Sequence, residues 1–268
     1  MKTIGFIGCG NMGSAIVGGI LQAGIADKEH VIASVHSEAS LDRVERELGI
    51  KATLSNAEVA EKADILFLAV KPNMFAQVIP EIKSAVSEDT IIVSIAAGQT
   101  IAGIQEAFGR DIKLVRSMPN TPALVGEAMS AVVPNEHICE ADLAAVMEIF
   151  ESFGQAEVVS EKLMDAVVGV SGSSPAYVYM FIEAMADAAV ADGMPRAQAY
   201  KFAAQSVLGS AKMVLETGKQ PGELKDAVCS PGGTTIEAVA KLEELGFRGT
   251  VMAGQKACSD KSREMSKG

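Results

Sequence analysis

The chain has 268 residues, a formal net charge of -11, 49% hydrophobic residues and 21% charged ones, which describes a globular protein large enough for one large domain or two ordinary ones. No cluster of lysine or arginine interleaves with aromatics, so neither nucleic acid nor an anionic lipid surface is an expected partner. The four cysteines (Cys9, Cys139, Cys229, Cys258) form no CxxC pair and the three histidines (His30, His36, His137) show no metal spacing, so the chain is read as having reduced thiols and no metal site.

The segment MKTIGFIGCGNMG runs directly into a strand and a glycine turn without the apolar stretch of a signal peptide, and no apolar run is long enough to span a bilayer. The expected location is the cytoplasm. Short β-branched runs recur at 3–8, 30–35, 64–70, 90–95 and 112–117. Between the first two, residues 11–23 carry helical periodicity and end at Gly24, a residue suited to a left-handed cap. Strand, helix, strand of this length implies a right-handed parallel crossover. Its repetition predicts an α/β fold, a doubly wound sheet over 1–158 with room for antiparallel strands at the edges, followed by a helical region over 159–268.

At the first crossover FIGCGNMGSA places Gly8, Gly10 and Gly13 in a G-x-G-x-x-G pattern after a strand and at a helix start. Gly8 permits the tight turn, Gly10 lets a pyrophosphate approach the backbone and Gly13 lets helix and sheet pack closely, with Gly18 and Gly19 available for the same purpose. A glycine-rich structural turn is the alternative. The end of the second strand reads Ser34-Val35-His36-Ser37, with no acidic residue to bond a ribose hydroxyl. Hydroxyls and an imidazole suit a ribose phosphate, so NADP(H) is the preferred cofactor, while Glu38 keeps NAD(H) possible; Arg43 reads either as a phosphate partner or as a solvated helix residue.

Three loops follow strand ends on one sheet edge, where ligands of open α/β sheets bind: 69–73 (Ala69, Val70, Lys71, Pro72, Asn73), 96–100 (with Ala96 and Ala97) and 116–123. Lys71 reads equally as a cofactor contact and as an ordinary exposed lysine. Pro119 and Pro122 stiffen the turn around Asn120, which either seats a nicotinamide carboxamide or is purely structural.

From Ser160 onward the pattern is helical, with a capped start at Ser173-Ser174-Pro175 and a stop at Gly193. Ala, Met, Val and Ile occupy so many helix faces that burial against a second subunit is expected, a compact monomeric bundle being the alternative. The region lacks histidine, and the stretch 173–195 lacks Lys and Arg. A dehydrogenase acting on an alcohol or ketone usually needs a positioned proton donor or acceptor, whereas a cyclic imine can arrive already protonated. Near the end, SPGGTTIEA frees the backbone to bend and then starts a helix whose first amides need a partner: water, nearby hydroxyls or an anion.

Taken together, FIGCGNMGSA, FLAVKP, RSMPNTPA, VVGVSGSSPAY and CSPGGTTIEA resemble pyrroline-5-carboxylate reductase over essentially the whole chain. The resemblance implies a Rossmann-type domain and an all-helical dimerisation domain, dimers often built into larger rings, and reduction of (S)-1-pyrroline-5-carboxylate to L-proline by NADPH or NADH, the last step of proline biosynthesis. It implies that Ile7, Gly8, Gly10, Asn11 and Met12 hold the pyrophosphate, that Ser34 and Asn56 meet the adenosine ribose with His36 nearby, and that Ala69, Val70, Lys71, Pro72, Ala96, Ala97 and Asn120 line the cofactor. The substrate carboxylate would rest on Ser230, Gly233, Thr234 and Thr235, with the Thr235 hydroxyl reaching the ring nitrogen as the catalytic contact, and Glu161 would lie near the substrate.

Two departures touch substrate detail: Ser174 stands where the commoner family form has glycine, and Ala227 where some members have asparagine. A β-hydroxyacid-type reductase would need an interdomain lysine that 163–200 lacks. A non-catalytic dinucleotide sensor would have no use for SPGGTT.

Overall fold

The computed structural model describes residues 1–266. Contacts divide them into two compact units, Met1–Ser173 with the final segment from Cys258, and Ser174–Ala257.

The first unit is built on β1 (Ile4–Ile7), α1 (Asn11–Ala23), β2 (Val31–Ser34), α2 (Glu38–Leu48), β3 (Lys51–Thr53), α3 (Asn56–Lys62), β4 (Ile65–Leu68), α4 (Phe75–Ile82), β5 (Ile91–Ser94), α5 (Ile101–Phe108), β6 (Lys113–Met118), β7 (Ala128–Pro134), α6 (Glu140–Glu151) and β8 (Gly154–Val158). The sheet order is β3-β2-β1-β4-β5-β6-β7-β8. Strands β1 to β6 are parallel, β7 is antiparallel to β6, and β8 is parallel to β7. The order reverses between β1 and β4, so their carboxyl ends open the crevice where dinucleotides bind in doubly wound sheets.

The expected α/β architecture is present, with three strands beyond the five expected. β3 has only three residues, and β8 reads GQAEV with three of its five positions exposed, so neither carries the continuous apolar signal of a strand buried on both faces. The antiparallel strand is internal, because β8 lies outside it.

Strands β1, β2, β4 and β5 are buried at every residue, so helices cover both faces. On one face Phe6 and Phe67 stack with ring centroids 4.8 Å apart, and Phe67 meets Phe150 edge-on at 6.1 Å. Each such ring removed from water contributes about 2 kcal/mol. α1 ends at Gly24, whose φ of 69° closes it with amide bonds to Ile20 and Leu21 carbonyls, as its periodicity predicts. A Cβ on Gly19 would stand 2.8 Å from that of Phe153, whereas Gly18 faces open space. Of these two glycines, only Gly19 is needed for close packing.

After β8, α7 (Met164–Val167) and a single π turn (Val168–Gly172) still belong to the first unit. Residues 161–172 are helical, and Met164 among them packs with Ala131 and Val133 of β7. The second unit contains α8 (Ser174–Ala191), α9 (Arg196–Thr217), α10 (Pro221–Val228), α11 (Thr234–Glu244) and the first part of α12 (Phe247–Met265). In this chain alone Tyr179, Met180, Phe202, Leu215 and Met252 are all at least 60% exposed, an amount of apolar surface that monomeric proteins rarely leave uncovered.

Candidate active site

The turn between β1 and α1 is closed on two sides and open on a third. Gly8 has a φ of +89°, and a Cβ there would lie 2.8 Å from Val70 Cγ1 and 2.9 Å from the Ala69 carbonyl oxygen, so only glycine lets the loop after β4 pack this close. A Cβ on Gly13 would come within 3.1 Å of the Gly8 oxygen, while one on Gly10 meets nothing within 4 Å. No side chain caps α1 and its first turn holds no acidic residue. The first helix amides and the positive end of the helix dipole are thus left for an anion beside Gly10, which fits the pyrophosphate of a dinucleotide. Ile7 is fully buried, so it offers this site only its backbone; Asn11 is exposed and Met12 half-buried. Burial pushes the Cys9 thiol above its ordinary pKa, against the lowering influence of Ser14 and Arg43.

At the end of β2, Ser34 is fully buried, and its hydroxyl donates to Asn56 Oδ1 at 2.6 Å. Asn56 Nδ2 in turn donates to Glu81 Oε2 at 2.6 Å. Ser34 therefore orients Asn56 from below rather than facing outward itself. His36 is exposed, and Ser37 caps α2 by accepting the Ser40 amide. Sequence reasoning left Arg43 undecided between phosphate and solvent; its Nη2 donates to the Cys9 carbonyl at 2.5 Å, inside the glycine turn. Its position in the first half of α2, one helix away from that turn, was the available signal.

The parallel register aligns Ile7, Leu68 and Ser94 at the ends of β1, β4 and β5, with Arg116 of β6 beside Ser94, so the three later loops share the edge of the glycine turn. Ala69 and Val70 touch that turn, and Lys71 is exposed beside half-buried Pro72. Ala96 is buried in the core and Ala97 half-buried. Asn120 is occupied by the protein itself: Nδ2 donates to the Ser171 carbonyl at 3.0 Å, and Oδ1 accepts the Met129 amide at 2.9 Å. That is the structural reading of this turn. Glu161 is engaged as well, accepting from Arg116 Nη1 at 2.8 Å and from the Ile101 amide at 2.9 Å through Oε1. Arg116 was absent from the expected site; its place inside the strand run IKLVRS, beyond the Lys113 that opens β6, was its signal.

In the second unit, Pro231-Gly232-Gly233 makes the bend before α11. Gly232 has a φ of +63°, and the Gly233 amide donates to the Ser230 carbonyl at 3.0 Å. A Cβ on Gly233 would overlap Ser230 Oγ. No side chain caps α11, so the hydroxyls of Ser230, Thr234 and Thr235 do not consume its first amides. Thr235 is half-buried and Thr234 exposed. The start of this helix has the donors and dipole that favour a carboxylate.

Residues 161–265 match the family model for pyrroline-5-carboxylate reductase dimerisation, and residues 3–98 match the one for NADP oxidoreductase, coenzyme F420-dependent. The pyrroline-5-carboxylate reductase of Escherichia coli (strain K12) is 56% identical over 266 residues, covering 99% of each chain. The chain belongs to the pyrroline-5-carboxylate reductase family. The reductase of Arabidopsis thaliana is 42% identical over 98% of this chain and 95% of its own. Among solved structures, pyrroline carboxylate reductase of Plasmodium falciparum with NADP bound superimposes with a TM-score of 0.90 at 36% identity, covering 99% of this chain and 98% of its own. Among the described residues no helix is long and apolar enough to cross a membrane, and no cluster of ligating side chains could hold a metal.

Proposed function

We infer that this chain reduces (S)-1-pyrroline-5-carboxylate to L-proline with a nicotinamide dinucleotide, the last step of proline biosynthesis. The observation that carries the reading is identity of 56% over 99% of the chain to a pyrroline-5-carboxylate reductase, joined to the two helix starts that no side chain caps. The division of labour we propose gives cofactor binding to the sheet part, 1–158, and substrate binding and dimerisation to the helical part, 159–268.

When bound, the dinucleotide supplies a hydride to the imine carbon. The chain's own residues bind and orient. Gly8, Gly10, Asn11 and Met12 hold the pyrophosphate by backbone donors. Asn56, set by Ser34, meets the adenosine ribose with His36 at the rim, and Ala69 to Pro72 with Ala96 and Ala97 line the nicotinamide side. Ser230, Gly233, Thr234 and Thr235 hold the substrate carboxylate on the α11 amides, and the Thr235 hydroxyl bonds the ring nitrogen, fixing the face presented to the hydride. An iminium substrate is already activated, which agrees with the absence of histidine from 159–268. Asn120 serves this edge by bracing its loop.

NADP(H) is the preferred cofactor in this reading. Support comes from the NADP-bound relative, from the lack of a carboxylate at the end of β2, and from the Arg43 guanidinium at the glycine turn. Glu81 bonded to Asn56 favours NAD(H) as the second reading, because a carboxylate here would repel a ribose phosphate. The exposed apolar faces of the second unit and the match to the dimerisation family support a homodimer. We further propose that it assembles into a larger homo-oligomer and works in the cytoplasm. Purified protein should oxidise NADPH only when pyrroline-5-carboxylate is added, faster than NADH at equal concentration; unchanged absorbance with either cofactor across the pH range sinks the reading.

A further inference from the structure

We propose that Arg116 and Glu161 form a clamp that positions the loop after β5, residues 96–100, for the nicotinamide end of the cofactor, making Glu161 a positioning residue in place of a substrate ligand. The proposal rests on the reading of this sheet edge as the cofactor site, and it deepens that reading.

Arg116 lies on β6 between β5 and β7, in register with Ser94 and Val133, and is only 4% exposed. A guanidinium in a central strand is tolerated only when its charge is paired. Its Nε has no hydrogen-bond partner among the described residues, so the pairing falls to Glu161, at 2.8 Å from Nη1. The same carboxylate oxygen accepts the amide of Ile101, the first residue of α5 and the first after the loop. That amide is one of the helix-start donors that α5 cannot satisfy internally, and Thr100 already caps Gly103 instead. One oxygen atom therefore ties the loop exit to β6 and to the segment entering α7, partners separated by 60 and 45 residues in sequence.

On its other side the loop turns at Gly98, with a φ of +76°, next to Met265 of α12. An ordinary van der Waals contact there sets no direction, whereas the two bonds to Glu161 do. With Ala96 buried and the exit pinned at Ile101, the backbone of Ala97 and Gly98 between them has little freedom. A loop held in this way keeps its nicotinamide face in place before the cofactor arrives, and displacement by a fraction of an ångström weakens binding and hydride alignment together.

The test reads hydrogen exchange at the Ile101 amide in the free protein, NADPH affinity by fluorescence titration, KM for the cyclic imine, and thermal stability. It compares wild type, Glu161→Gln, Glu161→Ala and the double variant Arg116→Met/Glu161→Met. In Glu161→Ala exchange should rise and NADPH affinity fall, each by about tenfold, the size expected for a lost charge-assisted hydrogen bond. Glu161→Gln, which keeps an acceptor for Ile101, should retain most of both. The double variant leaves no unpaired buried charge, so its stability should recover while exchange and affinity stay impaired. Affinity that recovers along with stability would overturn the clamp as a positioning device, as would unchanged exchange in Glu161→Ala. A loss confined to KM for the imine would return Glu161 to the substrate. Wild-type protein that fails to bind NADPH would instead sink the functional reading, and the exchange measurement would still decide whether the clamp orders the loop.

Discussion

Arg43 Nη2 donates to the carbonyl oxygen of Cys9 at 2.5 Å, so a side chain from α2 reaches the backbone of the turn between β1 and α1. Its other amino group lies 3.6 Å from Glu47 on the next turn of α2. The guanidinium thereby braces the turn and puts a positive charge beside the proposed pyrophosphate site.

Removal of that brace should be felt by the cofactor. Arg43→Ala should weaken NADPH binding by about tenfold, as expected for a charge-assisted bond, and weaken NADH less, because only the phosphorylated ribose carries the extra charge. Arg43→Lys keeps the charge without the fork and should fall between. Isothermal titration with both cofactors checks this; equal losses for the two would assign Arg43 to the turn and the pyrophosphate that both cofactors share, and not to the ribose phosphate.

The Thr235 hydroxyl is predicted to act on the substrate and not on the fold. Since no side chain caps α11, Thr235→Ala removes no cap and should leave thermal stability within about 0.5 kcal/mol. Turnover should drop by roughly 10- to 100-fold with NADPH affinity unchanged, the effect of losing one aligned contact. Thr235→Ser should restore most of the rate.

Gly233 is the position where the bend tolerates no side chain. A Cβ there would collide with Ser230 Oγ and approach the Ser230 carbonyl to 3.1 Å, so Gly233→Ala must turn the Ser230 hydroxyl aside and shift the bend before α11 by a few tenths of an ångström. KM for the cyclic imine should rise by about tenfold or more, since the donors for its carboxylate move with the helix start. Ser230→Gly alone gives the loss due to the missing Ser230 hydroxyl, and the double variant should lose less than the two single changes multiplied, because it removes the worse collision. Steady-state kinetics of the single and double variants would show it.

The Cys9 thiol should resist alkylation at neutral pH. Burial raises its pKa, so less thiolate is present than on an ordinary cysteine, and the group is 4% exposed, whereas Cys139 is exposed. Iodoacetamide mapping by mass spectrometry should therefore label Cys139 first, with Cys9 labelled only as pH rises well above the usual thiol range. Saturating NADPH should slow the Cys9 reaction further. Early labelling of Cys9 at neutral pH would contradict the closed turn.

Much of the architecture was legible in the chain itself, because the physics that writes it is local. The period of 3.6 over 11–23, ended by a glycine that closes at φ 69°, specified α1 to the residue, and G-x-G-x-x-G after a strand specified the turn that Gly8 makes against Val70. The helices from Ser174 onward followed from the same periodicity, and SPGGTT marked a helix start while leaving open whether hydroxyls, water or an anion would meet its first amides. Each of these depends on backbone preferences and neighbours within a few residues.

Tertiary structure decided what depends on partners far apart in sequence. Whether Asn120 faces a ligand or the protein turned on Ser171, 51 residues away, and whether Glu161 is free turned on Arg116 and Ile101. The same holds for β7 and β8, which become strands by pairing with each other and with β6, and for the helical residues 161–172, which pack on the sheet through Met164. Periodicity reports which face of an element is apolar, but it does not say which distant polar group will arrive to pair with a buried one. That choice is made only when the sheet order brings the strand ends together.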